Sequence, residues 1–519
     1  MSGKLKVQLV MGIIPGVVKL LVEKKGGAMT FEDYYKRLGF VKYPFGVFTS
    51  EGELDFFDGI YLPPDNHSVI LEGLKNTSAI VVGERGTGKT ALSIDLGDRL
   101  ASDKNLLVRV EEFSDLKINY EPNDAYRFIT ERIVASFFLS YAKRQSSLWS
   151  LSKEDRLDLS MFLHEYLGAS TKALLLEKLK RIQNGPFKRF LIGAYNSVRV
   201  VLNYGLKAAT MAVSDALTKH FSSLPPIETG SAEYFGRITA EVDTSFEQGQ
   251  RQYFYLEKIC ALAVRAGFEK IYVFVDKIDE DPRFQNDAED IADFLRPLAS
   301  DNKILTSNRF HTVLFAWSTP FNYIREGVRT QKLSFTSLTW DRSSLEKVLE
   351  RRLAKFSDGA VGLELLDEAS IESKNLVFDM CNRNPRDLWH IMDKSFQEQY
   401  KIDPSEKIGD TAILSAVRRF VMEFNYYEYY PRKSNARSNS MDVYKYIKHL
   451  QKLDGARFTK DRLSTLAGTG GSTNNYVVAM ENMGLIRNTG DKAQGGAVVY
   501  EISDPKVKYA MESGIQIGD

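Results

Sequence analysis

A glycine-rich segment near residue 85 constrains this chain more than any other feature. It reads Gly83-Glu84-Arg85-Gly86-Thr87-Gly88-Lys89-Thr90 and fits the pattern G-x-x-x-x-G-K-[ST] in full. A short apolar run, Ser78 to Val82, precedes the segment. A run with leucine at every fourth position, Lys89 to Leu100, follows it. The pattern therefore predicts a buried strand, a tight turn and a helix, in that order.

Such a turn is suited to hold a chain of phosphates. Glycines let the backbone approach an anion, successive N–H groups point inward, and the positive end of the helix dipole faces the same charge. We expect Lys89 to reach the β- and γ-phosphates of ATP, and Thr90 to place its hydroxyl on Mg²⁺. The predicted nucleotide contacts are Gly83, Glu84, Arg85, Gly86, Thr87, Gly88, Lys89, Thr90 and Ala91.

A second apolar run ends in acidic residues. Ile271 to Val275 is typical of a buried strand, and Asp276-Lys277-Ile278-Asp279-Glu280 follows it. A carboxylate at the carboxyl end of a strand would hold Mg²⁺, which assigns the metal to Asp276 together with Thr90. A further carboxylate has to activate the attacking water. Glu280 is the first choice for this base and Asp279 the second, and the sequence leaves the choice open.

Apolar runs that alternate with helical patterns predict an α/β fold built on a parallel sheet. Further strands are expected at Leu106 to Val110, Val313 to Trp317 and Leu333 to Leu338. A long helical stretch, about residues 122–248, separates strands of the same sheet and is predicted to be an insertion.

Polar residues beside two of these strands are candidate sensors of the nucleotide. Ser318 and Thr319 follow the strand that ends at Trp317, where a hydroxyl would sense the γ-phosphate or the attacking water. Arg325 and Arg329 precede the last strand. Arg329 is our candidate for an arginine finger that reaches a neighbouring subunit, which implies a homo-oligomer. The alternatives are simple strand termination and solvated surface arginines.

The last unit, residues 441–519, predicts a winged helix-turn-helix. Helical patterns at Asp442 to Leu453, Thr459 to Leu466 and Ser472 to Met483 precede a glycine-rich hairpin, with Thr459 as one helix cap and Ser472 or Thr473 as another. The start of the third helix, including Asn474 and Asn475, would enter the major groove of duplex DNA. That helix holds no Lys or Arg, so a unit that docks only on protein is an equal alternative. Basic residues available for phosphates are Arg432, Lys433, Arg437, Lys445, Lys448, Lys460, Arg462, Arg487 and Lys492.

Composition excludes several classes of protein. The net charge is +1, which gives no overall preference for nucleic acid. No apolar run approaches the roughly 18–20 residues that span a bilayer. Only two cysteines occur, Cys260 and Cys381, which argues for a reducing compartment and a cytoplasmic protein. The N-terminal residues are expected to be a poorly ordered or partner-packed extension rather than a signal sequence.

These elements, in this order, resemble the AAA+ and STAND branch of P-loop ATPases. The likeness is to origin-recognition-like AAA+ proteins and to bacterial P-loop ATPases whose strand ends in Asp-x-x-Asp-Glu, as Asp276 to Glu280 does. Trp340 to Leu353 is similar to the opening helix of a helical lid. Asn382-Arg383-Asn384-Pro385-Arg386-Asp387-Leu388 is similar to the lid motif whose arginine, here Arg386, faces the nucleotide. Family members often have Arg or Asn where this chain has Ser318-Thr319, which leaves the sensor and the arginine finger open.

The resemblance covers about residues 40–400 without the insertion and implies a division of the chain. An N-terminal extension (1–40) precedes a P-loop ATPase core (41–340), a helical lid (341–430) and the winged helix-turn-helix (441–519). The implied function is a Mg²⁺-dependent ATPase switch that couples ATP or ADP binding to oligomerisation and to DNA or protein partners. Family analogy suggests genome maintenance or antiviral defence against mobile elements. Two alternatives remain: a DNA-binding regulator with ATP as a structural ligand, and an effector-binding scaffold without nucleic acid.

Overall fold

The computed structural model describes residues 29–102, 104–141, 151–167, 251–432 and 441–518. Its central feature is a parallel sheet of five strands in the order β2-β3-β4-β1-β5. The strands are β1 (Ala79–Gly83), β2 (Asn105–Val110), β3 (Lys270–Val275), β4 (His311–Trp317) and β5 (Ser334–Leu338). The predicted α/β class with a parallel sheet is confirmed, and each predicted strand lies within two residues of its observed bounds.

Within the described ranges, ten helices accompany this sheet or lead into it. They are α1 (Phe31–Arg37), α2 (Phe57–Ile60), α3 (His67–Leu74), α4 (Lys89–Leu100), α5 (Pro122–Tyr141), α6 (Lys153–Leu167), α7 (Arg251–Arg265), α8 (Ala288–Ser300), α9 (Asn302–Leu305) and α10 (Ser318–Ile324). The phosphate-loop helix α4 has the predicted bounds. Part of the predicted insertion is described as α5 and α6, whereas residues 168–250 lie outside the described part of the chain, as do residues 1–28.

The two faces of the sheet bury separate apolar clusters, because successive side chains of a strand point to opposite sides. Ile80 and Val82 of β1 pack with α5, α7 and α8 on one face. Ala79 and Val81 pack with α3 and α4 on the other. Both faces are therefore covered, which accounts for the continuous apolar runs that mark these strands in the sequence. Helix α5 belongs to the same core cluster as the strands, although it lies within the predicted insertion.

Four further helices follow β5 in the described chain and bury a cluster separate from those of the sheet: α11 (Arg342–Phe356), α12 (Ile371–Met380), α13 (Pro385–Ile402) and α14 (Asp410–Glu423). The segment before β1 packs against them through aromatic side chains, such as Phe31 against Tyr400 at 5.4 Å between ring centroids. Arg352 of α11 is 1% exposed and donates to the carbonyl oxygens of Pro44 (2.6 Å) and Val47 (3.1 Å). The N-terminal segment from Met29 onward is thus fixed to this helical layer.

The C-terminal residues form three helices, an antiparallel sheet and a last helix. The elements are α15 (Val443–Leu450), β6 (Arg457–Thr459), α16 (Lys460–Ala467), α17 (Thr473–Asn482), β7 (Ile486–Lys492), β8 (Val498–Ile502) and α18 (Pro505–Glu512). The sheet order is β6-β8-β7. The apolar residues of this unit belong to one continuous cluster with those of α11 to α14.

The two predicted helix caps of this unit had different outcomes. Thr459 caps α16 by accepting a hydrogen bond from the backbone of Arg462, as predicted. Ser472 is the N-cap residue of α17, one of the two predicted alternatives, but its side chain makes no capping bond, and the Thr473 hydroxyl donates to the Gly470 carbonyl (2.7 Å). A 3-10 turn, Gly470–Ser472, enters the helix directly, which leaves Ser472 in a helical conformation. Within the described residues, no helix is both long enough and apolar enough to cross a membrane.

Candidate functional site

The glycine-rich segment forms the turn between β1 and α4. Gly86 and Gly88 have backbone φ angles of +82° and +91°, which side chains of L-residues rarely tolerate. At Gly86 space is also short, because an added Cβ would lie 2.4 Å from Oδ1 of Asn384. Glycine at this position is therefore required both by the turn and by the close approach of α13.

Lys89 lies at the first position of α4 and is 8% exposed. Its ammonium donates to the carbonyl oxygens of Gly83 and Glu84, at 3.1 Å each. The Thr87 hydroxyl also donates to the Glu84 carbonyl (2.7 Å), and the indole of Trp340 donates to the Thr87 carbonyl (2.8 Å). The loop is thus held by its own lysine and by the residue that leads into α11.

Asp276 follows the last residue of β3, at the sheet edge where β1 also ends. Its Oδ1 accepts a hydrogen bond from the Lys277 backbone (2.9 Å). Its Oδ2 is buried and has no hydrogen-bond partner among the described residues. Burial and the nearby Glu111 carboxylate raise the pKa of Asp276 to about 7, although Lys89 and the Thr90 hydroxyl act in the opposite direction. A cation beside this carboxyl group would relieve the cost of its charge.

The two candidate bases have different surroundings. Asp279 accepts a hydrogen bond from Nε of Arg85 (2.9 Å), and its carboxylate is 8% exposed. Burial alone would raise the pKa of Asp279, but Lys89 and Arg85 lower it below the usual value. Burial and the charge of Asp279 raise the pKa of Glu280, and the Arg386 guanidinium is among the groups that lower it. Asp279 is therefore ion-paired with Arg85 of the phosphate loop. Glu280, whose pKa is raised, is the better proton acceptor of the two.

The predicted arginines lie in different places. Arg386 is the second residue of α13 and lines the same cleft as the phosphate loop, Asp276 and Glu280. Arg329 is exposed and precedes β5, so it lies at the opposite edge of the sheet from the carboxyl ends of the strands. The guanidinium of Arg325 lies over the ring of Phe335, at 5.6 Å. Ser318 begins α10 and interacts with the carboxyl group of Glu84. Thr319 is not among the residues that line the cleft.

Sequence reasoning missed two charged residues at this edge. Glu111 follows β2 and lies close enough to Asp276 to raise its pKa. Lys277 has a left-handed backbone (φ +65°), and its ammonium contacts Glu51 (2.5 Å) and Glu111 (3.4 Å). The only signal for Glu111 was its position directly after a predicted strand. Lys277 stood inside the acidic motif, but its partners are remote in the sequence.

A cleft of about 950 Å³ joins these groups. The phosphate loop and Asp276 form one side. The other sides come from the N-terminal segment, including Phe48 and Tyr61, from Trp340 before α11, and from Trp389 of α13. This volume is at the upper end of the range usual for small-molecule and cofactor sites. An anion-binding loop at one end and aromatic side chains at the other suit a ligand with phosphates and a flat ring.

The oxygen groups present fit Mg²⁺ better than a transition metal. No group of three or more His, Cys, Asp or Glu side chains suited to a metal occurs in the part of the chain that the structure describes. Mg²⁺ is commonly held by one or two protein oxygens, with phosphates and water completing its shell. Asp276 with its unpartnered Oδ2, and Thr90 beside it, would supply those oxygens.

Comparisons with known proteins do not assign the chain to a family. No protein-family profile matches it. A stretch of 144 residues is 28% identical to the 80.3 kDa protein of transposon gamma-delta in Escherichia coli and covers 27% of this chain but only 19% of that protein. Two structures of RuvB, the Holliday junction branch migration motor of Thermotoga maritima, align over 87% and 88% of the chain and 94% of the motor, at 9% and 10% identity. Their TM-score of 0.29 is too low to establish a shared fold.

The environment of Asp276 generates a test of the metal site. In buffer with EDTA at a pH above 7, where Asp276 is ionised, we expect Asp276→Asn to raise the free energy of unfolding by about 1–2 kcal/mol, because it removes a buried charge that faces other carboxylates. Mg²⁺ should raise the urea midpoint of the wild type and leave that of the variant unchanged. The control is Asp293→Asn, whose carboxylate is 72% exposed. An Asp276→Asn protein that is less stable in EDTA would contradict this account of the site.

Proposed function

We propose that the cleft binds ATP with Mg²⁺ and hydrolyses it. The observation that carries this proposal is the buried Oδ2 of Asp276, which has no partner among the described residues and lies at the edge where Lys89 and Thr90 begin α4. In this arrangement the loop amides and Lys89 bind the phosphates. Thr90 and Asp276 hold Mg²⁺, which neutralises charge on the phosphates when bound.

We assign the general base to Glu280. Asp279 is held by the Arg85 guanidinium, which itself lies 4.3 Å from the centre of the Trp317 ring. A carboxylate that is ion-paired with an arginine has a lowered pKa and is a poor acceptor of a water proton. Glu280 carries no such ion pair among the described residues and lines the cleft together with Arg386. Asp279 then serves to hold Arg85, and through it the loop.

The assignment predicts different defects in binding and in turnover. Lys89→Ala should weaken ATP binding at least about tenfold, because it removes the charge beside the phosphates. Glu280→Gln should bind ATP like the wild type and hydrolyse it roughly 100-fold more slowly. Fluorescent-nucleotide titration and phosphate release measure the two effects, with Lys347→Ala and Glu326→Gln as exposed controls. Wild-type turnover no faster than that of Glu280→Gln would favour the alternative in which ATP is a structural ligand.

We further propose that α11 to α14 act as a lid that reports the state of the nucleotide, as in the AAA+ and STAND proteins that the sequence resembles. Support comes from Arg386 and Trp389, which extend from α13 into the cleft lining. Arg386 would contact the terminal phosphate and lose that contact after hydrolysis. Movement of the lid would then pass the nucleotide state to the rest of the chain, which makes the protein a switch.

Arg329 functions in this proposal only between two copies of the chain. It is exposed and lies at the sheet edge away from its own cleft, so a neighbouring subunit has to present its γ-phosphate. The specific ATPase rate should therefore rise with protein concentration. Arg329→Ala should remove that rise and lower the rate roughly 1000-fold, with Lys332→Ala as control. A monomer in sedimentation whose rate is independent of concentration would rule out this role.

We propose that residues 441–518 form a winged helix-turn-helix that contacts duplex DNA through α17. Asn474 and Asn475 are exposed at its start, and the β7–β8 hairpin follows the helix in the chain. The charges argue for weak binding, because two of the candidate arginines are paired with carboxylates: Arg462 with Asp454, and Arg487 with Glu501. Lys433 and Arg437 lie outside the described residues.

DNA binding should thus depend on the two asparagines and only weakly on salt. Asn474→Ala with Asn475→Ala should weaken binding of a duplex about tenfold in fluorescence anisotropy. The control is Asn482→Ala, an exposed residue at the other end of α17. If the double variant binds duplex as tightly as Asn482→Ala, or if the wild type binds no duplex, the protein-docking alternative for this unit is favoured.

A further inference from the structure

Asn384, the residue before α13, forms a direct hydrogen bond to the phosphate loop. The amide Nδ2 of Asn384 donates to the carbonyl oxygen of Arg85 at 2.6 Å. Asn384 is 2% exposed, and its Oδ1 accepts from the backbone of Arg386 at 3.0 Å, which caps α13. The same side chain therefore fixes the loop and the start of the helix that carries Arg386.

Asn384 is in turn held by the segment that leads to the C-terminal unit. Its amide also donates to the Tyr429 hydroxyl. That hydroxyl donates to Oδ1 of Asp387 at 2.8 Å. The backbone carbonyl of Glu428 accepts from Arg85 at 3.4 Å, so the segment touches the loop at a second point. Three side chains and one short segment thus form a continuous hydrogen-bonded path away from the loop.

The path ends on a fully buried lysine of the C-terminal unit. Lys506 of α18 is 0% exposed, and its ammonium donates to Oδ2 of Asp387 at 3.3 Å. It lies 3.9 Å from Asp504 and 4.4 Å from the ring centre of Phe424. A buried ammonium is stable only when carboxylates and dipoles compensate for lost water, so Lys506 and Asp387 hold each other firmly in place.

We propose that Lys506 and Tyr429 are positioning residues of the nucleotide site. They hold Asn384 where it orients the phosphate loop, so that docking of the C-terminal unit and nucleotide binding favour each other. The proposal rests on the proposed function, since it concerns the same loop. A partner that pulls α18 away from α13 would lower nucleotide affinity, and bound nucleotide would oppose that partner by the same factor.

The geometry of the peptide bond gives the direction of the effect. The carbonyl of Arg85 and the N–H of Gly86 belong to one planar trans unit and point in opposite directions. By holding the carbonyl, Asn384 also fixes the direction of the Gly86 amide, one of the donors assigned to the phosphates. A loop without this anchor has to be ordered when the ligand binds, and the ordering cost lowers affinity.

Two variants of the full-length chain test the path at separate points. Tyr429→Phe removes one hydroxyl, and Lys506→Met removes the ammonium while keeping an unbranched apolar chain. Matched controls on the same helix as Lys506 are Tyr509→Phe and Lys508→Met, neither of which belongs to the path. Measurements are the affinity for fluorescent ADP with Mg²⁺, the melting temperature, and hydrogen exchange of the peptide that covers residues 83–90 without nucleotide.

Both path variants should bind ADP about tenfold more weakly than the wild type, and their phosphate-loop amides should exchange faster. Exchange in β3 and β4 should stay unchanged, which separates a local effect from general destabilisation. Tyr429→Phe carries the test alone if Lys506→Met does not fold. Affinity and loop exchange equal to those of the controls would overturn the coupling while leaving the ATP site intact. A wild type that binds no nucleotide would overturn both proposals.

Discussion

The parallel direction of β1, β3 and β4 is the constraint on which the rest of the site depends. Because all three strands run the same way, the glycine loop after β1 and the acidic residues after β3 emerge at one edge of the sheet. The register of the strands pairs Gly83 with Trp317 and Val275 with Leu314. This register sets how far the loop after β1 and the acidic residues after β3 extend beyond the sheet. Lys89 and Asp276, which are remote in the sequence, therefore face the same cleft, and ligands of such sheets bind at this edge.

Features set by short stretches of sequence could be predicted, and features set by remote contacts could not. The motif from Gly83 to Thr90 fixes its own turn, and the bounds of α4 follow from the leucine spacing and the glycine before it. By contrast, Asn384 and Arg85 are 299 residues apart, and Asp387 and Lys506 are 119 apart. Nothing local distinguishes Lys506 from a surface lysine. The ion pair of Arg487 with Glu501 could not be predicted for the same reason, since it forms only across paired strands.

Buried charges connect remote parts of this chain. They specify which surfaces pack together more than they add to the free energy of unfolding. Arg352, Asp387 and Lys506 are each at most 1% exposed, yet all three have charged or carbonyl partners from another part of the chain. Such pairs add little net stability compared with apolar residues, but separating one partner leaves a charge without water. Arg352 therefore fixes α11 against the N-terminal segment, and the pair of Asp387 and Lys506 fixes α13 against α18.

The packing of the first described residues on the helical layer also bears on how the chain folds during synthesis. Tyr43 donates a hydrogen bond to Asp393, which is 350 residues further on. At a translation rate of about 5–20 residues per second, the aromatic N-terminal segment waits roughly 20–70 s on the ribosome before its partners exist. Throughout that interval Phe31, Tyr34 and Phe45 lack the aromatic partners from α13 that they contact in the folded chain. The segment therefore completes its native packing only after the helices that contain its partners have been made.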